Sequence, residues 1–384
     1  MENHLTRVHE SLSPLASRKK QANKTGNLCI LVVIFLTAFL SACTKDEGKP
    51  DIGITPKGPK PEWGPTIKPE MQRVIEKLDE LSKGVSLTTL TPQQARMAPS
   101  PTDAVKAVMQ EYNIPMPVSN VDTSGVMLPV EGGMIHARVY TPKNATGMLP
   151  GIVYYHGGGW VIATIDTYDA SARALAEQSG AVVVSVEYRK GPEFKYPTAH
   201  NDAFAAYQWV LANAASLKVN AQKVAVAGES AGGNLAAVVS MMARDNGIAL
   251  PVHQLLVYLI ASNDVNSPSY VQYADAKPLS KPLMQWFFGH YLSTPTKGDS
   301  PWISLVKAAN LAGLPPATVI NAQIDPLQSE GQQYAENLKR AGVAVTSTVY
   351  EGVTHEFFGM AAVVPQAKEA QKLAADELKK AFAK

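Results

Sequence analysis

Two cysteines, Cys29 and Cys43, are all that the 384 residues contain. That scarcity excludes a disulfide-stapled secreted scaffold and any zinc site built on cysteine. Neither sign of charge dominates: 35 Lys+Arg stand against 33 Asp+Glu, a net of +2. No single-sign run of five or more occurs, so the basic field that would collect nucleic acid is missing. Internal repeats are absent too. What remains is 46% hydrophobic, 18% charged and 7% aromatic, a globular composition that rules out disordered, collagen-like and coiled-coil chains. The length allows one large domain or two small ones.

Long apolar runs are also missing, with one exception. Residues 28–40 are 13 uncharged, almost wholly apolar positions. A helix of that length reaches roughly 20 Å, short of the ~30 Å hydrocarbon core, which favours the apolar part of an export signal over a membrane span. Arg18, Lys19, Lys20 and Lys24 supply the basic flank, and Leu40-Ser41-Ala42-Cys43 follows the run. The tetrapeptide resembles a bacterial lipobox, in which cleavage leaves a lipidated cysteine as the first residue. The resemblance implies a lipoprotein signal peptide over residues 1–42, lipidation of Cys43, and an exported protein anchored to a bacterial membrane. Thr44 after the cysteine is compatible with the outer membrane. An uncleaved anchor and an ordinary cleaved signal are the alternatives. With the leader gone no cysteine is left for a disulfide, and several acyl chains hold a bilayer stably where one does not. Residues 1–42 carry five Lys+Arg and two Asp+Glu, so the remainder has 30 against 31, a net of −1. Residues 48–69 then hold six prolines and four glycines. Such a stretch is extended and semi-rigid, and the expectation is a tether over residues 43–70 ahead of a folded domain over 71–384.

Within that domain, residues 71–113 read as amphipathic helix, with Val74, Ile75, Leu78 and Leu81 and then Val105, Val108 and Met109 at helical spacing. Residues 121–130 and 134–140 alternate like two half-buried strands joined at Gly132-Gly133. Short apolar or β-branched runs follow at 151–155, 181–187, 223–227, 254–260, 317–322 and 344–350. Helical stretches at 168–178, 203–214, 234–244 and 332–340 separate most of them. Strands alternating with helices predict an α/β fold with a mostly parallel central sheet covered on both faces. In such sheets the chemistry sits in loops at the carboxyl ends of strands.

Two of those loops are rich in glycine. Gly228-Glu229-Ser230-Ala231-Gly232-Gly233 joins the run 223–227 to the next helix, a G-x-S-x-G turn that lifts a serine hydroxyl to a helix N-terminus. His156-Gly157-Gly158-Gly159-Trp160 follows the run 151–155. Consecutive glycines let backbone N–H groups approach an oxygen closely, and two of them with the Ala231 N–H would make an oxyanion hole. Which two of Gly157, Gly158 and Gly159 donate stays open. Ser230 needs a base, and the base needs an orienting acid. Downstream only His253, His290 and His355 exist. His253 precedes its strand and so lies at the wrong end of it, and His290 sits among aromatics, whereas His355 follows the last strand. For the acid, Asp325 stands right after the run 317–322, ahead of Pro326 and Leu327, with Asp264 and Glu330 as rivals. No phosphate-binding loop, HExxH motif or dinucleotide fingerprint is present.

These residues resemble the hormone-sensitive-lipase-like branch of the α/β-hydrolases, the bacterial esterases with an HGGG loop. The loop at 156–160, Tyr188-Arg189 with Pro192-Glu193, the elbow at 228–233, Asp325-Pro326-Leu327 with Glu330-Gly331, and His355 with Phe357-Phe358 carry the resemblance. It implies an α/β-hydrolase fold with a helical cap from about 71–118 and 262–311, where Trp286, Phe287 and Phe288 supply apolar wall or plain helix packing. It also implies Ser230 as nucleophile, His355 as base, Asp325 as acid and Gly157–Gly159 as oxyanion donors. The expected activity is serine-type hydrolysis of short-to-medium acyl esters through an acyl-enzyme, with a small-molecule ester as partner and neither metal nor organic cofactor. An acyltransferase and a non-catalytic binding protein on the same fold are the alternatives. The chain departs from the family at Glu229, where aspartate is usual, at Lys190-Gly191, at Gln328-Ser329, and at Glu356, where glycine commonly follows the histidine. The last is expected to reshape the pocket rim and so to bear on substrate preference.

Overall fold

A computed structural model describes residues 53–384. The leader, Cys29, Cys43 and the first part of the tether lie outside the described residues. Eight strands form one sheet: β1 (Val121–Val130), β2 (Gly133–Pro142), β3 (Leu149–Tyr155), β4 (Val182–Val186), β5 (Val219–Glu229), β6 (Gln254–Val257), β7 (Ala317–Ile324) and β8 (Val345–Thr354). Their order is β1-β2-β4-β3-β5-β6-β7-β8. β1 pairs antiparallel with β2 and β2 antiparallel with β4, and every later pairing is parallel.

Ten helices accompany the strands among the described residues: α1 (Pro69–Ser82), α2 (Pro92–Ala95), α3 (Pro101–Glu111), α4 (Asp169–Ser179), α5 (Thr198–Ala212), α6 (Ala231–Asp245), α7 (Pro268–Gln272), α8 (Lys281–Tyr291), α9 (Gln328–Arg340) and α10 (Pro365–Phe382). Because side chains alternate along a strand, each central strand feeds two cores. Val153, Val184, Val226 and Leu256 enter the core under α5, α6 and α9. Ile152, Val183, Ala225 and Leu255 enter the one under α4 and α10, which α1 and α3 extend. Leu235 of α6 is fully buried in the first core, and truncating such a side chain to alanine typically costs about 2–5 kcal/mol. This is the mostly parallel α/β sheet that the alternating runs predict, in the α/β-hydrolase form that the family resemblance implies.

The structure departs from the expectations at three places. β1 is an edge strand on which only Val121 and Leu128 are buried, because the helices cover the sheet's interior. β6 stops at Val257, where Tyr258 turns to φ 34°. The third correction concerns the tether. Ile54 and Ile67 are buried in the core, although proline and glycine dominate around them. An extended segment leaves its backbone groups unpaired, and here α1 pairs them. Glu76 accepts the Lys57 and Gly58 N–H groups at 2.8 and 3.0 Å, and the Gln72 amide donates to the Gly58 and Pro59 carbonyls. The Lys68 N–H donates to the Gly352 carbonyl at 2.8 Å. Residues 54–68 therefore dock on the folded body.

Candidate active site

The elbow is a product of steric exclusion. Ser230 joins β5 to α6 at φ 56°, ψ −118°, a conformation that costs a non-glycine residue of order 1–3 kcal/mol. The turn closes so tightly that a Cβ on Gly228 would fall 2.1 Å from the Gly232 carbonyl oxygen. One on Gly232 would fall 1.9 Å from that of Tyr155. The Ser230 N–H donates to the Val257 carbonyl at 2.9 Å, tying the turn to the next strand. Its hydroxyl is held at the N-terminus of α6.

β7 and β8 bring the other two groups to the same sheet edge. His355 Nε2 lies 2.9 Å from Ser230 Oγ, and His355 Nδ1 lies 2.7 Å from Asp325 Oδ2. Asp325 Oδ1 accepts the Leu327 N–H at 2.9 Å, which fixes the carboxylate. All three side chains are buried. Burial alone would lower the His355 imidazole, but the charge and hydrogen bond of Asp325 outweigh it, with Glu356 and Glu229 adding to the rise. The rivals lie elsewhere. His253 Nε2 pairs with Thr318 Oγ1 at 2.9 Å, and His290 packs edge-on against Trp286. Exposed Asp264 caps its own turn through the Asn266 N–H. Buried Glu330 accepts the Ala261 and Ser262 N–H groups and so holds the loop after β6.

The glycine loop is equally constrained. Cβ atoms on Gly157, Gly158 and Gly159 would fall 2.2 Å from Tyr168 Oη, 2.4 Å from the Ile162 carbonyl and 2.2 Å from the Phe287 ring. Gly158 and Gly159 take φ of 94° and 57°. Among the described residues, the N–H groups of Gly157, Gly158, Gly159 and Ala231 donate to no backbone carbonyl, and a Cβ on Gly157 would fall 3.2 Å from the Glu229 carbonyl of the elbow. Tyr188 holds this loop: its hydroxyl donates to the His156 and Gly157 carbonyls at 2.9 and 3.2 Å, and its ring stacks on His156. The sequence marked Tyr188 only as a family match; the free carbonyls of a glycine loop were the signal that it needed a donor.

The chain belongs to the α/β-hydrolase family. Residues 152–359, more than half its length, match the family described as alpha/beta hydrolase fold. It is 42% identical over 251 residues to the carboxylesterase NlhH of Mycobacterium tuberculosis, covering 65% of this chain and 79% of that protein. It is 33% identical to the ethyl acetate hydrolase of Pseudomonas putida, over 62% of this chain and 76% of that one. Among solved structures, the hyperthermophilic esterase of the archaeon Pyrobaculum calidifontis superposes with a TM-score of 0.73 at 37% identity, over 82% of this chain and 98% of that one.

Beyond the triad, two glutamates flank the α/β-hydrolase site, Glu229 fully buried and Glu356 half-buried. Glu229 accepts hydrogen bonds from the Tyr154 and Tyr258 hydroxyls, and the Tyr258 ring packs on His355 with centroids 4.6 Å apart. Burial, reinforced by Glu356, pushes the Glu229 carboxyl up to about 7 against the pull of the two tyrosines. Glu356 lies 4.0 Å from His355 Nε2, beside the reacting end of the imidazole. It sits at φ 71°, in a left-handed turn, and the Tyr168 hydroxyl donates to its Oε1 at 2.5 Å. Burial pushes that carboxyl up as well, with His355 opposing.

The two segments expected to cap the site face each other across a cavity of about 590 Å³. It is lined on one side by residues between Leu78 and Pro101, including Val85 and Met97, and on the other by residues between Asp275 and Leu283. Trp286, Phe287 and Phe288 do not line it. Phe287 instead packs on Gly159, and Phe288 faces Trp160. Arg96 ties the first segment to the body through the Val161 and Gly191 carbonyls and Glu193. Among the described residues no group of three His, Cys, Asp or Glu could hold a metal ion.

Proposed function

We propose that the chain hydrolyses carboxylic esters through an acyl-enzyme on Ser230. The reading rests above all on one observation, the Asp325–His355–Ser230 hydrogen-bond chain at 2.7 and 2.9 Å. Neutral His355 Nε2 takes the Ser230 proton as Oγ attacks the ester carbonyl. Asp325 holds the tautomer with its proton on Nδ1 and stabilises the imidazolium that forms. Ala231 and two of Gly157, Gly158 and Gly159 donate to the oxyanion, where each donor is worth about 10²–10³ in rate. The imidazolium protonates the leaving alkoxide, and water then cleaves the acyl-enzyme along the reverse path. The family resemblance implies a small ester with a short-to-medium acyl chain. The name of the Pseudomonas putida relative, ethyl acetate hydrolase, supports the same size class.

The test is Ser230→Ala assayed on p-nitrophenyl butyrate. Loss of nearly all turnover is expected, and wild-type turnover would end the proposal. Transfer to an alcohol instead of water is the alternative on the same triad, and product analysis with methanol present separates the two. We further place the mature protein on a bacterial membrane through lipid on Cys43, a reading supported by the basic flank, apolar run and lipobox-like Leu40-Ser41-Ala42-Cys43. Cys43→Ala is expected to abolish incorporation of labelled palmitate.

A further inference from the structure

The mechanism above leaves Glu356 without a task, although it occupies the position nearest the reacting end of His355. Its Oε1 lies 4.0 Å from His355 Nε2, on the nitrogen that Ser230 shares and away from Asp325. The carboxyl is held in place. Its backbone sits in a left-handed turn, the Tyr168 hydroxyl holds Oε1, and Tyr168 itself is wedged against Gly157 of the oxyanion loop. Next to it lies a space of about 10 Å³, lined by Glu229, Glu356, Tyr168 and Ser171 together with Ala170, Met360 and the start of α3. That is room for about one water molecule.

Once Ser230 is acylated its oxygen no longer donates to Nε2, and the imidazole is free to accept from another molecule. A hydrogen bond spans about 2.8 Å. Two such bonds meeting above the 4.0 Å separation of Nε2 and Oε1 subtend about 90° at their apex, close to the angle between the two hydrogens of water. A water molecule there gives one hydrogen to Nε2 and the other to Oε1, and its lone pairs are left for the acyl carbon. An alcohol has one hydrogen. It can satisfy Nε2 only by pressing its alkyl group against the carboxylate or by leaving Oε1 unpaired.

We propose that Glu356 orients the water that cleaves the acyl-enzyme and thereby makes water, rather than an alcohol, the preferred acyl acceptor. The step balances within the site. The water oxygen bonds to the acyl carbon as its proton passes to Nε2. The carbon–Oγ bond then breaks, the Nε2 proton returns to Ser230 Oγ, and the carboxylic acid departs. The inference rests on the acyl-enzyme reading given above, and it assigns a role to a residue that reading does not use.

The test is Glu356→Gly, which the φ of 71° accommodates without backbone strain. Acylation is read from the p-nitrophenol burst on p-nitrophenyl butyrate, deacylation from the steady state, and acceptor choice from the ratio of methyl butyrate to butyrate in dilute methanol. Deacylation is expected to fall roughly tenfold, the effect of about one hydrogen bond, and the methanol-to-water ratio to rise by a similar factor. The burst rate is expected to stay within about threefold, far from the loss that removing a triad member brings. Tyr168→Phe, which frees the carboxyl, is expected to shift the ratio in the same direction by less. If Glu356→Gly does not fold, Glu356→Gln carries the same comparison. An unchanged ratio, or equal losses in acylation and deacylation, would overturn the proposal. Wild-type enzyme that shows no burst and no butyryl mass on Ser230 would instead overturn the acyl-enzyme reading beneath it.

Discussion

Glu229→Gln offers a prediction whose sign and size both follow from burial. The side chain is fully buried, and its carboxyl is raised from 4.5 to about 7, chiefly by desolvation. A folded state with the higher pKa binds the proton more tightly than the unfolded chain. This part of the stability is therefore complete below about 4.5 and is lost as pH rises through 7. The rise from 4.5 to about 7 makes the proton's contribution to folding about 3 kcal/mol. Glutamine cannot ionise. It offers one acceptor oxygen where Glu229 offers two, so Tyr154 or Tyr258 must reverse its hydrogen bond, at a pH-independent cost of about 1 kcal/mol. The informative quantity is thus the variant's stability minus the wild type's, measured by urea unfolding at pH 5 and at pH 8. That difference is expected to move in the variant's favour by up to about 3 kcal/mol between the two. A difference that is constant with pH, or that moves the other way, would refute the burial argument.

Three further outcomes follow. Asp325→Asn retains the shape but favours the wrong imidazole tautomer at 2.7 Å, and kcat should fall by about 10⁴, read by steady-state kinetics on the purified variant. Gly158→Ala places a Cβ 2.4 Å from the Ile162 carbonyl at φ 94°, so the loop must move; a loss of about 10²–10³ in kcat with little change in melting temperature is expected. The base must be neutral to accept the serine proton, and His355 is raised above the ordinary 6.5. Activity should therefore rise with pH through a midpoint above that value, and a kcat/KM profile with its acid limb below pH 6 would contradict the placement of Asp325.

Much of this fold could be read from the chain, because the residues involved obey hard constraints. Gly228 and Gly232 are the only kind of residue that fits where the elbow touches β3, so the turn advertised itself. The central strands are uniformly apolar because both faces are covered. What escaped notice had weaker signatures. α10 is built on Ala367, Ala370, Ala374 and Leu378, small residues that carry little hydropathy yet allow close packing on the sheet. α5 begins five residues earlier than its apolar pattern, because the buried polar groups His200 and Asp202 open it. His200 pairs with Tyr291 and Asn234, and Asp202 with Arg189, contacts between distant segments that no local period encodes. The docking of Ile54 and Ile67 was hidden by their proline-rich surroundings. Glu356 was visible as a departure from its family, but its contact with the distant Tyr168 was not.

The account's central claim is that a buried serine at the β5–α6 turn is the nucleophile. The most direct measurement is to incubate the protein with a fluorophosphonate probe and locate the adduct by peptide mass spectrometry. A single adduct on Ser230 is predicted, formed rapidly in the wild type and far more slowly after His355→Ala. An adduct on another residue, or Ser230 left unmodified while ester hydrolysis proceeds and is blocked by the probe, would contradict it.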